Sequence, residues 1–580
     1  MNDGAVAAGD LAQWFPKLRP AATDERPDGG VFEIGLCCAG AISAGAYAAG
    51  VFDFLVEALD AWHAAKANGE AVPRHQVQLR IVTGASAGGM NAAILAASAP
   101  YRFPAAGPRA TAGDRARNPF YRAWVDEIDI AKLLATDDLE RDGFRSLLNS
   151  IPLRRIAADI VEHGPASGLA AIARPWLLDP LPVLLTVTNL RGVPYAVAFK
   201  GGSPHGMRIH ADTLGFMARS AEASAGAVPP DAIDLPFARS ASDPRWGALV
   251  QAALATGAFP VALRPGEILR PAADYKYRFA QYLPGEAAPS FISPDGTLPD
   301  PYAFPCVDGG LINNEPFEMA RTALAGLDGR NERDGAKARR AVIMLDPFVE
   351  APGEGPAELG PSIARIAVAM FTALKDQARF KPESLLLAMR EDVFSRFLIA
   401  PKRYPDGAAR GGAAVEGVEA MASGGLGGFL GFFSREYRHH DFMLGRSNCQ
   451  AFLRNVFALP ESNTVFDAET RASRKWRCRD DPKFVPIVPL VGALAEDEYP
   501  SPWPRGAFTG WPAVETAFTR RADAAAKALI ATWIGRDGAG AWAKRKALEA
   551  AWGIWGRGWV RDKVQARLDD ARDAVDRRAL

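Results

Sequence analysis

The sequence is poor in the features that mark several common functional classes. Its 580 residues hold five cysteines (Cys37, Cys38, Cys306, Cys449 and Cys478). They are odd in number and form no C-x-x-C, which argues against a disulfide framework or a thiolate zinc site. Reduced thiols in a cytoplasmic setting are expected instead. Formal charges cancel to zero, so no overall basic field points to a nucleic-acid partner. Residues 1–30 carry Asp3, Asp10, Lys17, Arg19, Asp24 and Glu25 and no apolar h-region, so no signal peptide is expected. The longest uncharged stretch near residue 90 is Gly/Ala-rich and too weakly apolar for a membrane span. There is no internal repeat, no metal-ligand cluster and no cofactor signature, so neither metal nor cofactor is expected.

Against this background, residues 77–98 stand out. The β-branched run Val77–Thr83 reads as a buried strand, Gly84, Gly88 and Gly89 break it, and Met90–Ala97 reads as the start of a helix. Ser86 then sits at the tip of a strand–turn–helix, inside Gly84-Ala85-Ser86-Ala87-Gly88. This is the G-x-S-x-G pattern of a nucleophile elbow. The turn strains and exposes the serine, and the following helix aims N–H groups at a developing oxyanion. A dehydrogenase-type phosphate turn is the competing reading, and it calls for a second motif, Y-x-x-x-K. None of the eleven tyrosines has a lysine four residues on.

Residues 1–30 read as a loosely ordered lead. Val31–Cys38 is a buried strand running into the small-residue turn Ala39–Gly45 and an amphipathic helix through Leu59 and Trp62. Residues 120–161 are helical in pieces, either a plain layer or a roof over the site. Pro182–Asn189 and Pro194–Lys200 read as a hairpin. Residues 246–263 read as an apolar helix ended at Gly257–Pro260. Phe304–Pro316 reads as a short strand ending in Asp308, a Gly309-Gly310 turn and a helix start. Arg340–Asp346 is another buried strand, and a Pro/Gly/Glu linker follows. Strands alternating with helices predict a three-layer α/β/α core with a mostly parallel sheet over 31–350. A mainly helical extension is expected over 351–580. Within it, Leu548, Trp552, Trp555 and Trp559 share one helical face near basic residues, which leaves association with a membrane surface open.

The elbow, the turn Cys38–Val51, the segment Ala253–Pro260 and Asp308-Gly309-Gly310 with Asn314 and Pro316 together resemble the patatin-like phospholipase family. The resemblance implies a serine lipid acyl hydrolase acting on phospholipid or lysophospholipid esters through a Ser86–Asp308 dyad. It also implies an oxyanion hole at Gly40, Ala41 and Ile42. A carboxylate with a reference pKa near ~4 is a weak base at neutral pH, so such a dyad needs Asp308 partly desolvated. The family's oxyanion turn is usually Gly-Gly-Gly-x-Arg/Lys-Gly. Here the matching residues are Gly40-Ala41-Ile42-Ser43-Ala44-Gly45, and Ala41 and Ile42 are expected to resist the left-handed backbone open to glycine.

Two alternatives stand beside this reading. One is a catalytically weak member that binds lipid or protein through its Trp-rich C-terminal region. The other is a Ser-His-Asp esterase using His439 or His440, the only histidines after Asp308; both follow a charged run that reads as surface. The sequence does not give the oligomeric state.

Overall fold

The computed structural model describes residues 29–348 and 390–552. Within these spans 167, 198–199, 224–227, 230, 240–242, 276–278, 282–289, 293, 327–329, 391, 405–412, 507–509 and 535–538 are excepted, and a few residues between 366 and 373 and between 558 and 573 are added. Most of the expected lead, the Pro347–Pro361 linker, Trp555 and Trp559 lie outside the described residues.

Val31–Cys38 (β1) is the axis of the sheet. Apart from Glu33, which pairs with Arg80 and Arg340, it is apolar on both faces, as suits a strand covered by helices on two sides, and seven of its eight residues are buried. It pairs in parallel with Gln76–Gly84 (β2) on one side and with Arg340–Leu345 (β8) on the other. Outward from β2 come Leu181–Val197 (β3), His205–Arg219 (β4) and Ala232–Pro236 (β5). Gly266–Arg270 (β6) and Tyr302–Asp308 (β7) attach antiparallel beside β3. On the far edge Arg396–Ile399 (β9) extends β8 in parallel. The sheet is mixed, mostly parallel and flanked by helices.

Two features depart from the sequence reading. Where a hairpin is expected over 182–200, Leu181–Val197 is one continuous strand, β3, whose antiparallel pairing with β4 slips between Thr188 and Val193. Asn189 Oδ1 accepts the Gly192 N–H at 2.9 Å, and Gly192 takes φ +70°. That local bond closes a bulge rather than a turn, so the strand bends and continues. The stretch after 350 also supplies a sheet strand, β9, in addition to its helices.

The helix after β1, Gly45–Ala67 (α1), is buried nearly all round rather than on one stripe. Together with the turn before it, Ile42–Ala67 is long and apolar enough to cross a membrane, but 89% of its most apolar window is buried inside the fold. The covering element is Arg435–Asn455, here called α6. The two backbones cross so closely that a Cβ on Gly50 would strike Phe442 O, and one on Gly445 would strike Tyr47 O. At this crossing Arg446, fully buried, is shared by Asp53, Glu57 (2.7 Å) and Glu498 (2.6 Å). Breaking one arm of such a cluster strands a buried charge, a change typically costing about 3–5 kcal/mol. The helical C-terminal region is thus fastened to the core at the helix that follows the β1–α1 turn.

Candidate active site

Ser86–Ser98 (α2) leaves the end of β2 through a turn that strains its first residue: Ser86 has φ +50°. Two glycines permit the turn. A Cβ on Gly88 would strike the carbonyl oxygens of Cys38 and Ala39, and one on Gly84 would lie 2.6 Å from Gly89 N. The Ser86 N–H is taken by Thr256 Oγ1 at 3.0 Å. Thr256 ends the helix Pro244–Thr256 (α4), and it is fully buried.

Asp308 ends β7, opposite Val187 of β3. Its backbone is fixed at both groups: its N–H donates to Ala258 O at 3.0 Å, and its carbonyl accepts Thr188 Oγ1 at 2.9 Å. Each of its carboxylate oxygens accepts a donor. Oδ1 accepts the Gly310 N–H at 2.7 Å, and Oδ2 accepts the Ser86 hydroxyl at 2.6 Å. Both side chains are buried, Ser86 at 7% and Asp308 at 4% exposure. A bond this short between hydroxyl and carboxylate is charge-assisted and directional. The Gly309-Gly310 turn therefore orients one oxygen so that the other faces the serine, and Phe317–Ala325 (α5) follows it.

The β1–α1 turn lies against this pair. A Cβ on Gly40 would sit 2.8 Å from Ser86 Cβ. Ala41 keeps φ −150°, whereas Ile42 takes φ +47°. Against expectation, the β-branched residue does enter the left-handed region, at a cost of roughly 1–3 kcal/mol. Among the described residues no hydrogen bond is made by the N–H groups of Gly40, Ala41 or Ile42.

Ser86 opens into a cleft walled by Ile42, Met90, Trp124, Leu148, Phe259 and Phe432 among others. Met90, Trp124, Ile128 and Leu153 are shared with a second cleft, which continues between Ile94, Ile156, Ile160 and Leu249. Its lining is almost wholly apolar. The helical pieces from 120 onward, ending in Ile151–Ala166 (α3), thus form one wall of both clefts.

The two late histidines are engaged elsewhere. His439 accepts or donates at Tyr121 Oη (2.8 Å) and Ser501 Oγ (3.1 Å), and burial pushes its pKa down to about 4. His440 Nδ1 meets Asp441 Oδ1 at 2.9 Å. In the charged run before them Arg435 and Glu436 are exposed, as its composition suggests, but Arg438 and the following His440 are each 1% exposed. The α6 face that carries them packs on the core. Among the described residues no three His, Cys, Asp or Glu side chains gather as a metal site.

Thr256, Ser43 and Phe429 were not singled out by sequence. Thr256 lies in the segment Ala253–Pro260 that carries part of the family resemblance, a signal that marks the stretch without giving the residue its role.

This fold and site place the chain in a known class. The Patatin-like phospholipase family matches residues 36–321. An uncharacterized protein, y4iI, from Sinorhizobium fredii is 38% identical over 552 residues, covering 86% of this chain and 76% of that relative. The chain belongs to the patatin-like phospholipase family. Among solved structures, VipD from Legionella pneumophila overlaps at a TM-score of 0.20 with 14% identity, over 73% of this chain and 70% of VipD. Family membership supports a lipid acyl hydrolase in general terms.

Proposed function

We propose that the chain hydrolyses carboxylic esters of phospholipids or lysophospholipids through a Ser86–Asp308 dyad and an acyl-enzyme. Ser86 Oγ attacks the ester carbonyl carbon while its proton passes to Asp308 Oδ2. The tetrahedral oxyanion draws on the N–H groups of the Gly40–Ile42 turn and of the α2 start. Collapse breaks the ester C–O bond, and the departing alkoxide takes the proton from Asp308. A water molecule then attacks the acyl-enzyme and gives its proton to Asp308. The fatty acid leaves, and the proton returns to Ser86 Oγ. No imidazole is needed, because the carboxylate contacts the hydroxyl directly.

The observation that carries this reading is the 2.6 Å bond between Ser86 Oγ and Asp308 Oδ2 in a buried site. The apolar clefts beside it suit an acyl chain, since each buried methylene is worth about 0.8 kcal/mol. The test is hydrolysis of a p-nitrophenyl ester and of phosphatidylcholine vesicles by the wild type, Ser86→Ala and Asp308→Asn. Each variant is expected to lose about a thousandfold or more in kcat. Undiminished turnover in either variant overturns the dyad.

One observation favours a second reading, a lipid-binding protein with little turnover: the Ile42 side chain lines the cleft at the oxyanion turn. That reading requires vesicle binding with no covalent labelling of Ser86 by a fluorophosphonate.

A further inference from the structure

The oxyanion turn is tied to a segment 385 positions away. Ser43, fully buried, donates its hydroxyl to Gly428 O and accepts the Gly431 N–H at 3.1 Å. Both capacities of that hydroxyl are thus used on one strap, residues 422–433. Gly427 and Gly428 in the strap take φ +63° and +91°, and a Cβ on Gly431 would sit 2.6 Å from Ser43 Oγ.

The strap is itself held from α6. Arg438 donates to Gly431 O at 2.8 Å and to Phe432 O at 3.3 Å, and its Nε donates to Val125 O at 3.1 Å. Asp441 accepts the N–H groups of Ala422 (2.8 Å) and Ser423 (3.0 Å). Phe429 and Phe432 of the strap line the Ser86 cleft, and Phe429 meets Phe259 edge-on at 5.7 Å.

Ile42, next to Ser43, stands at φ +47°. A β-branched residue keeps that conformation only where its surroundings over-determine it. Ala41 and Ile42 lack a glycine's freedom, so the turn depends on bonds from outside itself.

We propose that Ser43 is a positioning residue for acyl transfer: through its hydroxyl, the 422–433 strap holds the Gly40–Ile42 turn in the donor geometry that the oxyanion requires. Arg438 acts one step further out, by fixing the strap. The region after 350 is then part of the catalytic centre. This inference rests on the Ser86–Asp308 reading.

The test measures kcat and KM separately on p-nitrophenyl butyrate for the full-length wild type, Ser43→Ala, Arg438→Lys and the double variant. Near-UV circular dichroism gives the folded fraction. Removing an oxyanion donor costs about 10²–10³ in kcat, and displacing the turn is expected to approach that lower figure in Ser43→Ala. KM is expected to stay within about twofold of wild type, and fluorophosphonate labelling to slow in parallel with kcat. Arg438→Lys is expected to shift kcat in the same direction. The double variant is expected to be no worse than about twofold below Ser43→Ala, because the two residues act through one strap.

A folded Ser43→Ala with wild-type kcat overturns the proposal, as does a rise in KM at constant kcat. If Ser43→Ala does not fold, Arg438→Lys decides on the same readout. Failure of the underlying reading looks different: there the wild type itself lacks Ser86-dependent hydrolysis.

Discussion

Thr256 Oγ1 accepts the backbone N–H of Ser86 at 3.0 Å, joining the end of α4 to the nucleophile elbow across 170 positions of chain. The first N–H groups of a helix have no partner within it, and here the first is taken by a buried hydroxyl on another helix. The same threonine's Cγ2 would lie 2.8 Å from a Cβ on Gly89, so it also packs against the next turn of α2.

Thr256→Val keeps the shape and removes the acceptor. The Ser86 N–H is then buried without a partner, which costs about 1–3 kcal/mol of stability. The elbow loses a restraint on its strained residue. The expected outcome is a lower urea midpoint together with a kcat reduced about tenfold or more at nearly unchanged KM. Thr256→Ser, which keeps the hydroxyl, is expected to restore most of kcat. Equal losses in both variants would trace the effect to packing instead.

The second cleft makes a different prediction. Ile156 lines it but not the cleft that holds Ser86. Filling it with Ile156→Trp is expected to penalise dodecanoyl esters far more than butyryl esters, because each methylene denied burial forfeits about a fourfold factor. Hydrolysis rates across an ester series check this. A uniform loss at every chain length would mean that the acyl group does not pass Met90 and Trp124.

Two of the buried histidines give acid stability a testable slope. Burial pushes His75 and His439 down from 6.5 to about 4. Between these values the folded protein keeps them neutral while the unfolded chain binds protons. Stability therefore falls as pH falls from 6.5 to about 4, with a slope of at most roughly 1.4 kcal/mol per pH unit for each histidine. Above 6.5 neither contributes a slope. Urea unfolding of wild type and His439→Gln across this window checks the sign, and the variant is expected to lose part of the slope. An unchanged slope in the variant would contradict the assignment.

What the sequence made legible was local. The elbow and the Asp308 turn each announce themselves through a strand, a glycine break and a helix within about a dozen residues, and their carbon frames follow from those patterns. The bonds between distant stretches left no such mark. Nothing near Ser43 points to Gly428 or Gly431. The run Arg435–Arg438 reads as surface by composition, and Arg435 and Glu436 are exposed, yet Arg438 and the following His440 are buried because α6 packs across α1 at two glycines. The bulge in β3 reads as a turn because Gly192 suits both, and it is the Asn189 bond to Gly192 that makes it a bulge. Ile42 was expected to resist a left-handed backbone, and it adopts one where neighbours outside the turn surround it.

The central claim is tested most directly by treating the protein with a fluorophosphonate and mapping the adduct by mass spectrometry in wild type and Asp308→Asn. A single adduct on Ser86 is expected in the wild type, forming about a hundredfold or more slower in the variant, because the carboxylate that receives the hydroxyl proton has gone. An adduct elsewhere, or labelling of Ser86 at equal rates in both proteins, would contradict the account.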